Sequence, residues 1–370
     1  MSDDPLRLLR MTGPVDGYPL EPSDEELAAA AGLPVERIVR YDMNTLGGGA
    51  LPGVRDAWRA WDPDRSVEYG DLGYRELRRA MGQAAGVAPT RVIPGAGADE
   101  LIRLVTTAVV GPGDAVIMPT PTFPMFAVEA GLAGARVVPV PRADPASRQA
   151  ATAIREAAER ERARLVWICS PNNPTGDATP LEEVVAIADG LEAVVVVDQV
   201  YLEFAVACGA TDLDATVLLA SHDNVIVLRS LAKSFGLAGA RIGYLVVPDA
   251  LAERFDALRL PLSVSMATEA LALGALGDPA AAAERHVEIM REQRRLADAL
   301  RDLGCEVLDG VANFVTFRPA DAPRLAAELT AQGLILREYP GGLMAGWLRA
   351  TARLRDENDR LIAALRELLG

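Results

Sequence analysis

Between about residue 90 and residue 247, short apolar runs alternate with helical patterns, and this alternation constrains the fold more than any other feature of the sequence. The runs 115–118, 137–140, 165–169, 194–197, 225–228 and 242–247 are almost continuously apolar. Such runs read as strands buried on both faces, which is the pattern of a mainly parallel sheet covered by helices. The stretches 99–110, around 151–164 and 180–188 read as helices between them, and Gly111-Pro112-Gly113-Asp114 is a stop followed by a turn. The class implied is α/β, with a mainly parallel sheet in a large domain.

After Pro261 the pattern changes to a long helical stretch rich in Ala, Glu and Arg, reaching about Asp302. Strands are expected at 305–308, 311–317 and 334–337. A closing helix over 356–369 carries Leu361, Ile362, Leu365, Leu368 and Leu369 on one face. This part reads as a smaller α+β domain. The first forty residues are Pro-rich and hold one amphipathic helix, 23–31, with Ser23 as its cap and Glu26 three residues on. The organisation expected is an arm over 1–40, a large domain over 41–262 and a small domain over 263–370. With 370 residues, half of them apolar, the chain has material for a core of that size.

The net charge of -15 argues against nucleic acid or an anionic membrane as partner, because both are held by clustered Lys and Arg. Two histidines, His222 and His286, are too few for a multi-histidine metal site and read as ordinary surface or helix residues. Cys169, Cys208 and Cys305 are odd in number and far apart, which fits free thiols in a reducing compartment. The opening MSDDPLRLLR lacks the apolar core of a signal peptide, and no apolar run reaches the ~20 residues of a membrane span. A cytoplasmic location is expected.

Of the 37 basic residues only Lys233 is a lysine. A codon bias that spared one lysine explains the count as well as a chemical need for an amine, so its neighbours must decide. Lys233 stands in SLAKSFGLAGAR just past the run 225–228, where the crevice of an α/β sheet takes its ligand. Only lysine among the basic residues forms an imine with an aldehyde. Ser230 and Arg241 in the same segment suit one phosphate, and Gly236 and Gly239 permit a tight path between them.

Asp198 ends the very apolar run 194–197, where an unpaired carboxylate is costly to bury. A protonated pyridine nitrogen is one partner for it; capping the next helix is the other reading. Tyr201 follows three residues on. The segment SPNNPTG, 170–176, is a rigid turn after another buried strand, and Asn173 in it can reach the same ring oxygen as Tyr201. GAGADE, 95–100, precedes a helix whose free N–H groups at Ala98 and Asp99 suit a phosphate. Phe123, in PTPTFPMF, reads either as a core residue or as a surface for a flat ring.

Taken together, SPNNPTG, the strand ending in Asp198 with Tyr201, and SLAKSFGLAGARIGY resemble the fold-type I enzymes of aminotransferase class I/II that depend on pyridoxal 5'-phosphate. The resemblance covers nearly the whole chain. Within that class GAGADELI, VVVDQVYLEF, ANFVTF and WLRATARLRDENDRLIAAL are most similar to the histidinol-phosphate aminotransferases. It implies that Lys233 forms the imine and moves the proton, Asp198 pairs with the pyridine nitrogen, and Asn173 and Tyr201 bind the ring oxygen. It implies Phe123 as the stacking residue and Ala98, Asp99, Ser230 and Arg241 as the phosphate site. Tyr69 then reaches a phosphate across a homodimer interface, Arg349 holds the substrate carboxylate, and Arg337 is a second anion site. The reaction implied is ping-pong transfer of an amino group from an amino donor to a 2-oxo acid. Decarboxylation of the threonine-phosphate type is the alternative, since it shares the motifs around Lys233.

The sequence departs from the family at four places. Where the family resembles NENPxGP, residues 44–53 read NTLGGGALPG, so Asn44 is kept while three adjacent glycines remove side chains from the substrate pocket. Ala232 replaces a hydroxyl residue, Gln199 stands where an acidic residue often follows the aspartate, and Arg353 replaces the usual glycine after LRxTx. The donor therefore stays open between histidinol phosphate, an aromatic amino acid and an unusual amine.

Overall fold

The computed structural model describes residues 21–370. Seven strands form the main sheet in the order Val92–Gly95, Gly243–Val246, Val225–Ser230, Val194–Asp198, Leu165–Cys169, Ala115–Thr120, Arg136–Pro141. Gly243–Val246 runs antiparallel to both neighbours, and every other pairing is parallel. Six of these strands lie where the apolar runs place them. The edge strand Val92–Gly95 was not anticipated, because Pro94 and Gly95 in so short a run carry a turn signal.

The continuous apolar runs are explained by burial on both faces. Val195, Val197, Val225 and Val227 pack on one side with Ile154, Val184 and Ile187 from the helices Ala151–Glu161 and Leu181–Ala188. Val196, Ile226 and Leu228 point the other way, into Leu101, Ile102, Phe126 and Phe255. Each such side chain contributes roughly 1.5–3 kcal/mol on burial, so the central strands are held from two directions. That rigidity positions the strand ends.

A second sheet has the antiparallel order Arg337–Tyr339, Trp347–Thr351, Phe314–Arg318, Glu306–Val307. The helices Pro279–Asp302, Ala322–Ala331 and Arg355–Leu369 cover it through Leu296, Leu300, Leu325, Leu329, Leu361, Ile362 and Leu365. Leu368 and Leu369 of the closing helix are only partly buried. The long helix expected after Pro261 is two helices, Met266–Leu276 and Pro279–Asp302. Gly277 ends the first; Asp278 caps the second by accepting from the Ala281 N–H at 3.2 Å, with Pro279 in the first turn. The run expected at 334–337 also divides, since Leu334–Ile335 pairs in parallel with Val39–Arg40 instead of joining the sheet. Tyr41 follows that pair into the second core, fully buried, and its hydroxyl donates to the Glu357 carbonyl at 2.6 Å.

The helix Asp24–Ala31 has the capping box expected of Ser23 and Glu26 and closes on Gly32 in the left-handed region. Residues 1–20 of the expected arm lie outside the described residues. No helix among the described residues is long and apolar enough to cross a membrane.

Candidate active site

The site gathers at the C-terminal ends of adjacent parallel strands, where Leu165–Cys169, Val194–Asp198 and Val225–Ser230 deliver Ser170, Asp198 and the turn after Ser230. Asp198 is 3 % exposed. Its carboxylate accepts one backbone N–H, that of Val200 at 3.1 Å, and has no ion-pair partner among the described residues. Burial pushes its pKa up to about 7, with the negative charge of Asp99 adding to the effect. Only a cation brought in from outside would restore its charge cheaply.

Lys233 lies on the one-turn helix Leu231–Ser234, capped by the Ser230 hydroxyl, which accepts from the Ala232 N–H at 3.2 Å. Its Nζ donates to the Met43 carbonyl at 2.8 Å. Burial lowers the amine to about 8, and the positive charges of Arg349 and Arg241 push the same way while Asp99 and Asp42 oppose them. His286, expected as an ordinary surface or helix residue, is buried on Pro279–Asp302 with Nε2 2.7 Å from the Ser234 carbonyl. It braces the turn that carries the lysine.

The expected phosphate residues come together. Gly97 caps the helix Ala98–Val109 at φ 87 without any side-chain cap, and a Cβ there would stand 2.9 Å from an Arg241 nitrogen. Arg241 itself has φ 56 and pairs with the Asp99 carboxylate at 2.7 Å. Ser230 lies opposite Gly243 in the sheet register, and a Cβ on Gly243 would stand 3.5 Å from the Ala98 nitrogen. The N–H groups of Ala98 and Asp99, the Ser230 hydroxyl and the Arg241 guanidinium thus gather around Gly97 and Gly243.

Across from it, Tyr201 is buried with its ring edge-on to Phe314 at 5.4 Å. Its Oη accepts from Asn44 Nδ2 at 2.9 Å. The Asn173 side-chain oxygen accepts from Arg349 Nη1, whose second nitrogen donates to the Asp42 carbonyl. Arg349 is 6 % exposed and its Nε has no partner among the described residues. Such a group is ready for an incoming anion.

Phe123 is half-buried and meets Phe126 edge-on at 5.7 Å, and Phe126 stacks on Trp167 at 4.4 Å. Of the two remaining expected residues, Tyr69 stands apart, whereas Arg337 lies opposite Arg349 in the register of the second sheet. Tyr69 is 88 % exposed and lines a different hollow of about 200 Å³ with Trp61, Tyr74 and Met266. Arg337 is half-buried and ion-paired with Glu21.

Three contacts were missed from the sequence: the Met43 carbonyl on Lys233, the Asp42 carbonyl on Arg349, and Thr351 beside Asn44. Backbone carbonyls leave no side-chain signature, so only Asn44 at φ 53, a residue tolerant of the left-handed region, marked the segment. Of the departures from the family pattern, Gly48 and Gly49 have φ of 83 and 72, and the Arg285 guanidinium stands where a Gly48 side chain would be, donating to the Gly47 carbonyl at 2.6 Å. Gln199 is buried and ties Leu213 and Ala215, and Arg353 pairs with Glu357. Both have structural partners. No cluster of His, Cys, Asp and Glu among the described residues suits a metal ion.

Residues 44–365 match the family model of aminotransferase class I and II. A histidinol-phosphate aminotransferase of Roseiflexus castenholzii is 34% identical over 353 residues, covering 93% of both chains. One from Lactiplantibacillus plantarum is 30% identical, covering 94% of this chain and 97% of its own. The crystal structure of histidinol-phosphate aminotransferase from Sinorhizobium meliloti in complex with pyridoxal-5'-phosphate superposes with a TM-score of 0.87 at 28% identity, over 99% of this chain and 96% of that one. The chain therefore belongs to aminotransferase class I and II and is a pyridoxal-phosphate-dependent aminotransferase of fold type I.

Proposed function

We propose that this aminotransferase takes an amino group from histidinol phosphate or a closely similar amine and passes it to a 2-oxo acid such as 2-oxoglutarate. The observation that carries the reading is the buried Asp198 carboxylate, without a cationic partner among the described residues, beside the turn bearing the chain's one lysine. Pyridoxal phosphate fits that vacancy of charge, since its ring nitrogen brings the missing proton and its phosphate matches the cup of Ala98, Asp99, Ser230 and Arg241. When bound, it supplies an aldehyde that takes up the amino group and a ring that withdraws electrons from the carbon losing its proton.

The chain's own groups do the rest. Lys233, lowered to about 8, is about a quarter neutral at pH 7.5, against about one part in a thousand for an ordinary lysine. It would therefore be the amine that holds the cofactor and the base that moves the proton at the substrate carbon. Asp198 holds the ring nitrogen protonated. Tyr201 and Asn173 donate to the ring oxygen; because the Asn173 oxygen accepts from Arg349, its Nδ2 is left to donate. Phe123 stacks on the ring. Arg349 binds the carboxylate of the 2-oxo acid, and Asn44 borders the substrate space. Arg337 is the second anion site, where a phosphate on the donor exchanges with Glu21. That reading favours a phosphorylated donor over an aromatic amino acid, and the names of the relatives support it.

Tyr69, exposed in the single chain, reaches the phosphate of a second copy in a homodimer. The large unit spans 41–262 and the small unit 263–370. Free Cys169, Cys208 and Cys305 support a reducing, cytoplasmic setting. The test is a single-turnover experiment on the pyridoxal-phosphate-loaded protein with histidinol phosphate, an aromatic amino acid and threonine phosphate. Pyridoxamine phosphate accumulating with histidinol phosphate supports the proposal; carbon dioxide release without it would show decarboxylation instead.

A further inference from the structure

Behind Tyr201 stands a buried chain of polar groups that neither binds the cofactor nor meets solvent. Thr351 ends the strand Trp347–Thr351 and is 0 % exposed; Asn44 is 2 % exposed. Thr351 Oγ1 accepts the Asn44 backbone N–H at 2.9 Å. Its single proton goes to the Tyr41 carbonyl at 2.6 Å, and the Asn44 side-chain oxygen lies farther off at 3.3 Å. The other end of that amide, Nδ2, donates to Tyr201 Oη at 2.9 Å. Asn313 Nδ2 fixes the Asn44 carbonyl at 3.1 Å, so the backbone of the residue is held as well as its amide.

The proton inventory decides what this chain does. A phenol has one proton, and an amide presents either a donor or an acceptor to it. With Nδ2 toward Tyr201, the phenol accepts from Asn44 and its own proton is free for another acceptor. With the amide reversed, Oδ1 would capture that proton. We propose that Thr351 and Asn44 are positioning residues that orient the Tyr201 hydroxyl, Thr351 anchoring Asn44 through its backbone N–H so that the amide nitrogen meets the phenol and the phenol proton is delivered to the cofactor's ring oxygen. The proposal rests on the assignment of Tyr201 to that oxygen. The ionisable groups facing Tyr201 are Arg349, Asp198 and Cys169; burial raises the phenol, with Cys169 and Asp198 adding to it and Arg349 and the Asn44 amide opposing it, so the phenol keeps a proton to donate. Just before Asn44, the carbonyls of Asp42 and Met43 hold Arg349 and Lys233. One short segment therefore sets three reacting groups.

The test is a pH titration of the visible absorbance of the pyridoxal-phosphate-loaded protein, whose midpoint rises when the ring oxygen loses a donor. Thr351→Val removes the hydroxyl in the same volume and raises the midpoint, by about one pH unit at most. Thr351→Ser keeps the hydroxyl and titrates like the wild type. Asn44→Gly, free to adopt φ 53, removes the amide without adding a charge and raises the midpoint as well. In a Tyr201→Phe background Thr351→Val shifts nothing further. Equal midpoints for Thr351→Val and wild type, a Thr351→Ser shift as large as that of Thr351→Val, or an undiminished Thr351→Val effect in Tyr201→Phe each overturns the relay. So does a variant that folds, by its thermal transition, yet takes up no pyridoxal phosphate, because the relay leaves the lysine and the phosphate cup intact. If Thr351→Val does not fold, Asn44→Gly with and without Tyr201→Phe decides in the same way. A wild-type midpoint that Tyr201→Phe leaves unmoved overturns instead the assignment of Tyr201 beneath it.

Discussion

Replacing Asp198 by Asn should have opposite effects on the cofactor-free and the loaded protein, and the first effect has a pH signature that follows from burial. Without a cation beside it, the folded-state pKa of Asp198 is raised from 3.8 to about 7. A raised carboxyl favours the folded state at low pH and opposes it as pH rises: below 3.8 both states bind the proton, between 3.8 and about 7 only the folded state does, and above that the full penalty stands. At about 1.36 kcal/mol per unit the penalty saturates near ~4 kcal/mol. Asparagine escapes it while keeping the oxygen that accepts from Val200. Its added N–H donors are unpaired, at a cost of about 1–2 kcal/mol. Cofactor-free Asp198→Asn is therefore more stable than wild type by about 2–3 kcal/mol at pH 8, equal to it near pH 5, and less stable below that. Urea denaturation of both proteins across pH 4–8 checks the crossing. Adding pyridoxal phosphate should invert the order at pH 8, because the amide cannot hold the ring nitrogen protonated. A stability difference that does not vary with pH, or an Asp198→Asn enzyme of normal turnover, would refute the reasoning.

Other outcomes follow from the same geometry. Capture of an aldehyde by the cofactor-free protein should rise with pH through a midpoint near 8, the value to which burial and Arg349 bring Lys233; stopped-flow absorbance finding the ordinary 10.5 would contradict it. Gly97→Ala places a Cβ 2.9 Å from the Arg241 guanidinium at φ 87, so pyridoxal phosphate affinity measured by fluorescence quenching should fall by tenfold or more (about 1.4 kcal/mol or above) with little change in secondary structure. Leu361→Ala, in the second core at 0 % exposure, should cost about 2–5 kcal/mol in denaturant titrations without altering the cofactor spectrum.

The large sheet was legible because its strands are buried on both faces and so are written as runs such as Val194-Val195-Val196-Val197. Val92–Gly95 was lost because Pro and Gly at a sheet edge look the same as a turn. The strand Trp347–Thr351 hides for a functional reason. Leu348 and Ala350 enter the second core, whereas Arg349 and Thr351 alternate with them and turn to the site, so half of the strand reads as polar loop. The site residues found in the sequence are those whose side chains carry the chemistry: an amine, a carboxylate, a phenol, an amide. What the sequence hid was support from backbone, such as the carbonyls of Asp42 and Met43, and support whose meaning is positional, such as His286 on the Ser234 carbonyl. Helix direction and strand order likewise depend on which buried faces meet, and no single run of residues records that.

Because Lys233 is the only lysine, one labelling experiment tests the central claim with little ambiguity. The loaded protein is reduced with borohydride, digested, and the pyridoxyl group located by mass spectrometry. The expected result is a single modification on the peptide carrying SLAKSFGLAGAR, abolished in Lys233→Arg. Label found at the amino terminus instead, or equal labelling of Lys233→Arg, would contradict the assignment of Lys233 as the residue that holds pyridoxal phosphate.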